Sequence, residues 1–417
     1  VYSLVDLMVV SRMLGSAGAS GVSNSSQIVL MLTNIAVGLA NGGNILVSQY
    51  FGSRDKARQE RVTGTFLTLF TLVGAFVAVG TFLLAGPMLR LISAPAYEEA
   101  VAYLRIAGLG MFFVYFYNCA SSVLRAVGNS KQPMRIIMVT CVLNVALDLL
   151  FVGPLGLGTA GAALATVLSQ GLSCVLALGY LLKNRDIFSF RRALLKLNGE
   201  DTASILKLGI PCAVQMTVAS ISWLTVTFLV NGYGVDCSAA SAYAAKVKDL
   251  SMMFITSLIN AASVMIAQTL GAGKFDRAKE VLGEAMKLSI LISVALIALV
   301  ELCAPLFARL FTGDAEVIRI AALNMRIEIL GQIFYSIFLI YHAMMIGAGD
   351  TYMVLVSSFM NCILFRIILC AIFNSIWGLT GIFVACAIAP ASSIPVGWLY
   401  MRSNHWRRSI AQRQEES

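Results

Sequence analysis

The 417-residue chain has little charge and almost no histidine. Only 12% of its residues are Asp, Glu, Lys or Arg, and only two are histidine, His342 and His405. Because zinc sites and many hydrolytic centres use histidine at recognisable spacings, this scarcity argues against a membrane-embedded enzyme. The nine cysteines show no metal-ligand spacing and lie mostly inside apolar runs, which indicates small buried thiols rather than disulfides. We therefore expect no catalytic activity and no cofactor.

Apolar sequence, in contrast, is abundant. Hydrophobic residues make up 59% of the chain and the mean hydropathy is +0.83, more than a single aqueous-phase core could bury. Runs of about 20 apolar residues, long enough to cross a bilayer, recur about twelve times. Sheet edges exposed to lipid would leave backbone groups without hydrogen bonds, so these runs are predicted to be helices. The sequence therefore predicts an all-α integral membrane protein with about twelve transmembrane helices.

The predicted spans form two sets separated by a polar, basic stretch. The first set covers the start to Leu14, then 25–50, 62–88, 100–126, 134–153 and 158–182. The second covers 204–231, 240–270, 283–308, 317–346, 352–374 and 377–401. We expect the first span to be truncated, because its apolar run is too short to cross a bilayer. The predicted domains are an N-terminal lobe (1–182), a linker (183–203), a C-terminal lobe (204–401) and a tail (402–417).

The two sets resemble each other as repeats. Offsets of 219, 221 and 220 residues pair matching residues in order along both halves, including Asn41 with Asn260, Gln49 with Gln268, Arg58 with Arg277, Gly128 with Gly349 and Gly158 with Gly378. Such ordered matches indicate a parallel duplication of six helices. Transporters that alternate access are often built this way. We therefore expect two six-helix lobes around a central cavity.

Basic residues are concentrated in the short connections after the even-numbered spans. These basic connections run from Arg54 to Arg61, from Arg125 to Arg135, from Lys183 to Lys196 and from Lys274 to Lys279. The tail is also basic. The positive-inside rule makes these segments cytoplasmic and places both termini inside. The formal net charge of +9 is thus explained by membrane topology, and we expect no nucleic-acid partner.

Two acids lie inside apolar runs. Asp148 follows Asn144 by four residues, about one helical turn, so both side chains face the same way, and Asp6 lies in the first span. An acid at membrane depth costs roughly 2.5–3.5 kcal/mol, which favours a functional role. The alternative is that Asp148 lies near enough to a helix end to reach the headgroups. Counting residues from the helix ends places Tyr103 and Thr166 at a similar depth, so we expect one shared pocket for a proton or Na⁺.

The acids are confined to the first half. Their repeat equivalents in the second half are the uncharged residues Thr225 and Ile368 or Leu369. A purely structural role would be expected in both halves. The asymmetry therefore favours a site for a coupling ion in the first lobe, although sequence drift would produce the same pattern.

Several short motifs resemble those of the multidrug and toxic compound extrusion (MATE) transporters. They are Val5-Asp6 leading to Gly15, Ser48 to Gly52 with its copy ending Gln268 to Gly271, Leu124 to Asn129, Asn144 with Asp148, and Gly158 to Ala163. The resemblance covers nearly the whole chain. It implies a secondary antiporter that exports cationic or amphipathic organic compounds in exchange for H⁺ or Na⁺. It also implies a cation site at Asp6, Asn144, Asp148 and Thr166, with Tyr103 as a less secure member.

The second half departs from part of that family. One branch of the family has an acid at each of two positions on helices 7 and 10. This chain has the amide Gln215 at the first position and the acid Glu328 at the second. Two readings of Glu328 remain open, namely an ion pair with Arg366 or a role in binding substrate or ion. Lys246 and Asp249, one turn apart, are expected to form a local ion pair. We therefore regard Gln215, Glu328, Lys246 and Arg366 as a possible second-lobe site.

Other functions were weighed against the antiporter. A lipid-linked oligosaccharide flippase of the same superfamily would need a strongly basic cavity, but few bases lie inside the predicted spans, chiefly Lys246 and Arg366. A channel is disfavoured by the two-lobe repeat. We expect a monomer in the plasma (inner) membrane of a prokaryote, with lipophilic organic cations as substrates.

Overall fold

A computed structural model describes residues 2–91, 97–184 and 195–407, with side chains from residue 21 onward. Throughout these ranges the chain is helical and contains no β-strand, which confirms the all-α prediction. The helices are α1 (Tyr2–Ser53), α2 (Lys56–Leu91), α3 (Tyr97–Ala126), α4 (Lys131–Val152), α5 (Gly158–Lys183), α6 (Gly199–Asn231), α7 (Val235–Gly271), α8 (Phe275–Arg309), α9 (Ala315–Leu330), α10 (Gln332–Ala348), α11 (Thr351–Phe359), α12 (Arg366–Ile388) and α13 (Ile394–Ser403).

Nine helical runs in the described part are long and apolar enough to cross a membrane, and a tenth is counted if α9 and α10, bent by 44°, form one span. The two longest runs explain the difference from the expected twelve. Helix α1 has 52 residues and covers the first two predicted spans, and Thr351–Ser403 has 53 residues and covers the last two. Each is more than twice the roughly 20 residues that one crossing needs. The chain is therefore a multi-pass membrane protein.

Irregular backbone interrupts the second long run. A π-helical segment, Met360–Phe365, separates α11 from α12, and Gly378 inside α12 has non-helical dihedral angles (φ 58°, ψ −138°). A left-handed φ of this kind suits glycine, which has no Cβ. The break at Gly378 lies one residue from the boundary that the hydropathy pattern predicts between the last two spans.

The duplication is visible in the backbone. Positive φ angles recur at equivalent positions of the two halves, at Arg54 (61°) and Gly273 (70°), at Gly128 (86°) and Gly349 (76°), and at Gly158 (60°) and Gly378 (58°). These pairs have the offsets 219, 221 and 220 that the sequence comparison gave. Because residues other than glycine rarely adopt such angles, their repetition supports a common origin for the two halves.

The described chain separates into two compact units. The first unit comprises Val1–Phe51 and Asp55–Ala213, and the second comprises Gly52–Arg54 and Val214–Ser417. The boundary therefore lies inside α6, beyond the linker at which the repeat boundary is predicted. The predicted lobe limits describe the duplication, whereas this division describes which residues pack together.

The first half of α6 packs tightly on α1 within the first unit. A Cβ atom added at Gly42 would lie 2.3 Å from the carbonyl oxygen of Ile205 and 2.6 Å from the backbone nitrogen of Gly209. One added at Gly38 would lie 2.4 Å from the Cα atom of Ala213. Small residues spaced four apart on both helices thus let the two backbones approach, as is common in membrane helix pairs.

An ion pair also anchors the start of α6. The guanidinium of Arg61 on α2 donates two hydrogen bonds to the carboxylate of Asp201, from Nε at 2.9 Å and from Nη2 at 3.2 Å. Asp201 is almost fully buried, and its backbone N–H donates a hydrogen bond to the side-chain oxygen Oδ1 of Asn198. Arg61 therefore holds the end of the linker against α2, in addition to its predicted contribution to membrane topology.

The close contact at Gly42 predicts a steric effect of Gly42→Ala. The added methyl group would overlap backbone atoms that cannot rotate away, so we expect a loss of about 1–3 kcal/mol in unfolding free energy. Thermal unfolding of the purified protein in detergent measures this change. Gly80→Ala is the matched control, because a Cβ atom there meets nothing within 4 Å and alanine favours helix. An unfolding temperature for Gly42→Ala equal to that of Gly80→Ala would contradict the close packing.

Candidate functional site

A row of buried polar side chains lies between α4 and α5 in the first unit. On α4 these residues are spaced four apart, which places them on one helix face. The residues of this polar row are Thr140, Asn144 and Asp148 on α4 and Thr166, Ser169 and Ser173 on α5. All six are buried, and Asn144 and Asp148 have no exposed surface. The prediction that Asp148 reaches the headgroups is not supported by this burial.

Hydrogen bonds connect the two helices along the row. The amide Nδ2 of Asn144 donates to Oγ1 of Thr166 at 3.3 Å, and Oγ of Ser173 donates to Oγ1 of Thr140 at 2.9 Å. The Thr140 hydroxyl in turn donates to the backbone carbonyl of Ile136 at 3.0 Å. Among the residues with described side chains, the Oδ1 atom of Asn144 has no donor. Because buried polar atoms are normally paired, this oxygen is available to a bound ion or proton donor.

A cavity of about 290 Å³ borders the row. Thr166 and Ser173 contribute hydroxyl groups to its wall, and Gln170 and Asn118 contribute amides. Thr33 adds a third hydroxyl group, and the remaining lining is apolar or aromatic and includes Tyr103, Tyr117 and Phe113. Among the residues with described side chains, none that lines this cavity carries a formal charge. The bond from Asn144 to Thr166 therefore links the cavity wall to the α4 face on which the buried Asp148 lies, one turn further on.

Tyr103 lies close to the same end of α4. It is 2% exposed and packs in a cluster with Val22 of α1, Val152 of α4 and Ala162 and Ala163 of α5. The structure thus brings together four of the five predicted residues of this site, Tyr103, Asn144, Asp148 and Thr166. Asp6 lies in α1, but its side chain is outside the described residues, so its proximity to Asp148 stays a prediction.

An ion pair lies among the helices of the second unit. The ammonium of Lys248 on α7 is 2.8 Å from Oε2 of Glu328 on α9, and the two side chains are only 17% and 15% exposed. Lys248 Nζ also lies 3.4 Å from the ring centroid of Trp223 on α6. Of the two readings left open for Glu328, the ion pair with Arg366 is not formed in the described structure, because α7 presents Lys248 to the acid instead.

The other predicted residues of the second half are arranged differently. Arg366 is 2% exposed, and its Cζ atom lies 4.6 Å from the Trp223 ring centroid. Lys246 and Asp249 are both exposed and form no ion pair in the described structure, so that expectation was also wrong. Gln215 is half-buried on α6 and lines neither of the cavities described for this unit.

Two cavities meet at the Lys248–Glu328 pair. Their volumes are about 410 Å³ and 190 Å³, and both are lined by Trp223, Lys248 and Glu328. Arg366 and Asp249 line only the larger one. The larger cavity thus combines two bases, two acids and an indole ring, whereas the described lining of the first-unit cavity is uncharged.

Some members of these sites were missed in the sequence. Thr140 precedes Asn144 by four residues, so extending the same periodicity would have found it, and Ser169 and Ser173 continue the face of Thr166. Lys248 gave no such signal. It differs from Lys246 by two positions, and only the rotation of α7 decides which of the two faces Glu328.

Metal binding by several acids or histidines is not indicated. Within the residues whose side chains are described, no group of three or more His, Cys, Asp or Glu residues could hold a metal ion. A bound Na⁺ would therefore have to use hydroxyl and amide oxygens together with a carboxylate, which are the hard oxygen ligands that such a cation prefers.

Comparisons with known proteins agree with this architecture. The sequence matches the MatE family over residues 1–150 and 211–372. It is 32% identical to the probable multidrug resistance protein YoeA of Bacillus subtilis over 77% of this chain and 71% of that protein. A second Bacillus subtilis relative, the probable multidrug resistance protein YpnP, is 27% identical over 97% of this chain and 91% of its own length. The crystal structure of a Vibrio cholerae MATE transporter, 20% identical, superposes with a TM-score of 0.92 and covers 98% of this chain and 93% of that one.

The Lys248–Glu328 geometry predicts energetic coupling between these two residues. In a double-mutant cycle with Lys248→Met and Glu328→Gln, we expect a coupling energy of about 1–3 kcal/mol in unfolding free energy. Lys246→Met with Asp249→Asn is the matched control pair on the same helix and should couple by less than about 0.5 kcal/mol. Equal coupling in the two cycles would contradict the assignment of Lys248 as the partner of Glu328.

Proposed function

Because the chain belongs to the MatE family of multidrug transporters, we propose that it is a secondary antiporter that exports cationic or amphipathic organic compounds in exchange for H⁺ or Na⁺. Membership makes it a membrane transporter rather than an enzyme. The exchange, the coupling ion and the substrate class are our proposal. The observation that carries it is a fully buried carboxylate, Asp148, one turn along α4 from Asn144, whose amide donates to the cavity-lining Thr166 in the first unit.

We assign Asp148 as the group that binds the coupling ion. An acid inside an apolar helix costs roughly 2.5–3.5 kcal/mol, and a proton or Na⁺ would offset part of that cost. The free Oδ1 atom of Asn144 offers a further oxygen ligand, and Thr166 orients the amide from α5. Tyr103 shapes the same end of the site. Asp6 completes the proposed set from α1.

Ion and substrate are proposed to compete through the cavity wall. Neutralising Asp148 and Asp6 removes their mutual repulsion, so α4 and the first part of α1 could approach and reduce the space available to the substrate. Linkage then requires that bound substrate weaken ion binding by the same factor by which the ion weakens substrate binding. Thr166 lines the cavity and accepts a hydrogen bond from Asn144, one turn from Asp148 on α4, so these two residues are proposed to transmit this effect.

The cavity chemistry favours lipophilic cations over anions. Its aromatic lining includes Tyr103, Phe113 and Tyr117, whose ring faces attract positive charge by roughly 0.5–2 kcal/mol per desolvated contact. From residue 21 onward, where side chains are described, no lysine or arginine lines this cavity. A flippase for a lipid-linked pyrophosphate would need such bases, so the cavity supports the antiporter in preference to that alternative.

We further propose that the protein functions as a monomer in the bacterial plasma membrane, with both termini in the cytoplasm. Its curated relatives named above are bacterial proteins. The orientation rests on the basic connections, of which Arg54 to Arg61 and Lys274 to Lys279 are equivalent in the two halves.

The ion-site proposal predicts that Asp148→Asn abolishes coupled efflux. Asparagine retains the size of the side chain but cannot ionise, so we expect at least a tenfold lower initial rate of gradient-driven transport. The measurement is efflux of a fluorescent cation from proteoliposomes under an imposed pH or Na⁺ gradient, which also identifies the ion. Asp236→Asn, an exposed acid in the first turn of α7, is the matched control. Wild-type rates in folded Asp148→Asn protein would refute the assignment.

The substrate proposal predicts resistance to organic cations. Expression in a bacterium lacking its major efflux systems should raise the inhibitory concentration of ethidium at least fourfold, because the uncharged aromatic cavity accepts a planar cation. The Asp148→Asn protein, produced at the same level, should give no such protection. Unchanged sensitivity across a panel of cations, combined with flipping of a phosphorylated lipid, would favour the flippase instead.

A further inference from the structure

Arg366 is a buried base that no acid neutralises. It is 2% exposed, and in the described structure no carboxylate forms an ion pair with it. Its Nη1 atom reaches Oγ of Ser222 only at 3.5 Å, a long hydrogen bond, and its Nε atom has no acceptor. A buried charge without an opposite charge beside it is strongly destabilising, as the cost of removing one partner from a buried ion pair shows. We therefore expect the guanidinium of Arg366 to bind a ligand.

The neighbouring charges do not compensate Arg366. Glu328 is held by Lys248 at 2.8 Å, so its negative charge is already balanced. Lys248 and Arg366 both lie over the ring of Trp223, at 3.4 and 4.6 Å from its centroid. Asp249 also lines the cavity, but its side chain is exposed and forms no ion pair there. The deepest part of the site is therefore the positive one.

The backbone presents Arg366 to the cavity. It is the first residue of α12 and directly follows the π-helical segment Met360–Phe365. Such segments are rare and occur frequently at functional sites, because the extra residue shifts the helical register. The cavity that Arg366 lines, of about 410 Å³, falls within the usual size range of small-molecule pockets, roughly 300–1,000 Å³.

We propose that this cavity of the second unit binds the carboxylate of an aromatic organic acid or zwitterion, with Arg366 as its anchor. The planar guanidinium can donate two parallel hydrogen bonds to a carboxylate. Trp223 and Tyr335 provide aromatic surface beside it, and Met252 provides a flexible apolar wall. With two acids and two bases in the lining, the net charge is zero, which favours a monocarboxylate or zwitterion over a doubly charged phosphate.

This site is distinct from the proposed ion site. Every residue that lines the cavity belongs to the second unit, whereas Asp148, Asn144 and Thr166 belong to the first. The inference therefore stands on its own geometry. It also adds a second substrate class, organic acids and zwitterions, to the lipophilic cations proposed for the first-unit cavity.

Calorimetric binding to the full-length protein in detergent tests the proposal. The probes are 2-naphthoate, its neutral methyl ester and phenyl phosphate. For the wild type we expect naphthoate to bind at least about tenfold more tightly than the ester, as a hydrogen bond to a charged group implies. Arg366→Gln should remove this preference, and Arg366→Lys should retain part of it. Arg326→Gln is the matched control, because Arg326 is half exposed and faces Glu301 at 3.7 Å outside the cavity.

Three results would overturn the proposal. They are equal affinity of wild type for naphthoate and its ester, an unchanged preference in folded Arg366→Gln protein, and tighter binding of phenyl phosphate than of naphthoate. If Arg366→Gln does not fold, the Arg366→Lys protein provides the test. An unaltered ratio of naphthoate affinity to ester affinity in that variant would also refute the assignment of Arg366 as the anchor. Ethidium efflux by Arg366→Lys separates this inference from the proposed function. A reduced naphthoate preference with normal ethidium efflux in this variant supports two independent sites.

Discussion

Polar groups inside the apolar helices must find their partners within the protein, because lipid offers none. The helix packing inside each unit follows from this constraint. In the first unit, Asn144 bonds to Thr166 and Ser173 bonds to Thr140, which ties α4 to α5 along their length. In the second, Lys248 and Glu328 satisfy each other across α7 and α9. Several buried polar atoms lack a hydrogen-bond partner in the described structure, and to two of them, Oδ1 of Asn144 and Nε of Arg366, we assign ligands.

Breaks in helical geometry accompany the cavities of the second unit. The bend between α9 and α10 occurs at Gly331, where an added Cβ atom would lie 2.3 Å from the carbonyl oxygen of Ala387. Gly331 and Pro390 both line the larger cavity, and the π-helical segment precedes Arg366. Irregular backbone is tolerated at membrane depth only where it is buried in protein or lines a cavity. The breaks are therefore consistent with a binding role for this unit.

The two halves retained their backbone and diverged in their charges. Equivalent left-handed positions such as Gly128 and Gly349 show how closely the turns agree. The buried charged residue nearest the first-unit site is nevertheless an acid, Asp148, whereas the buried charged residue of the larger second-unit cavity is a base, Arg366. A duplicated scaffold thus provides two chemically different cavities. We propose that one unit binds an ion while the other contributes to substrate selection.

The sequence by itself determined the helical membrane architecture, the duplication and most of the first site. Hydropathy and offset matching depend only on residue order, and the four-residue spacing of Asn144 and Asp148 defines a helix face without further information. Only the tertiary structure decided that Glu328 pairs with Lys248 and that the first half of α6 packs on α1 at Gly38 and Gly42. Partners on different helices depend on helix rotation, on the register shift at Met360–Phe365 and on how closely backbones approach. None of these quantities is encoded in the spacing of residues along one helix.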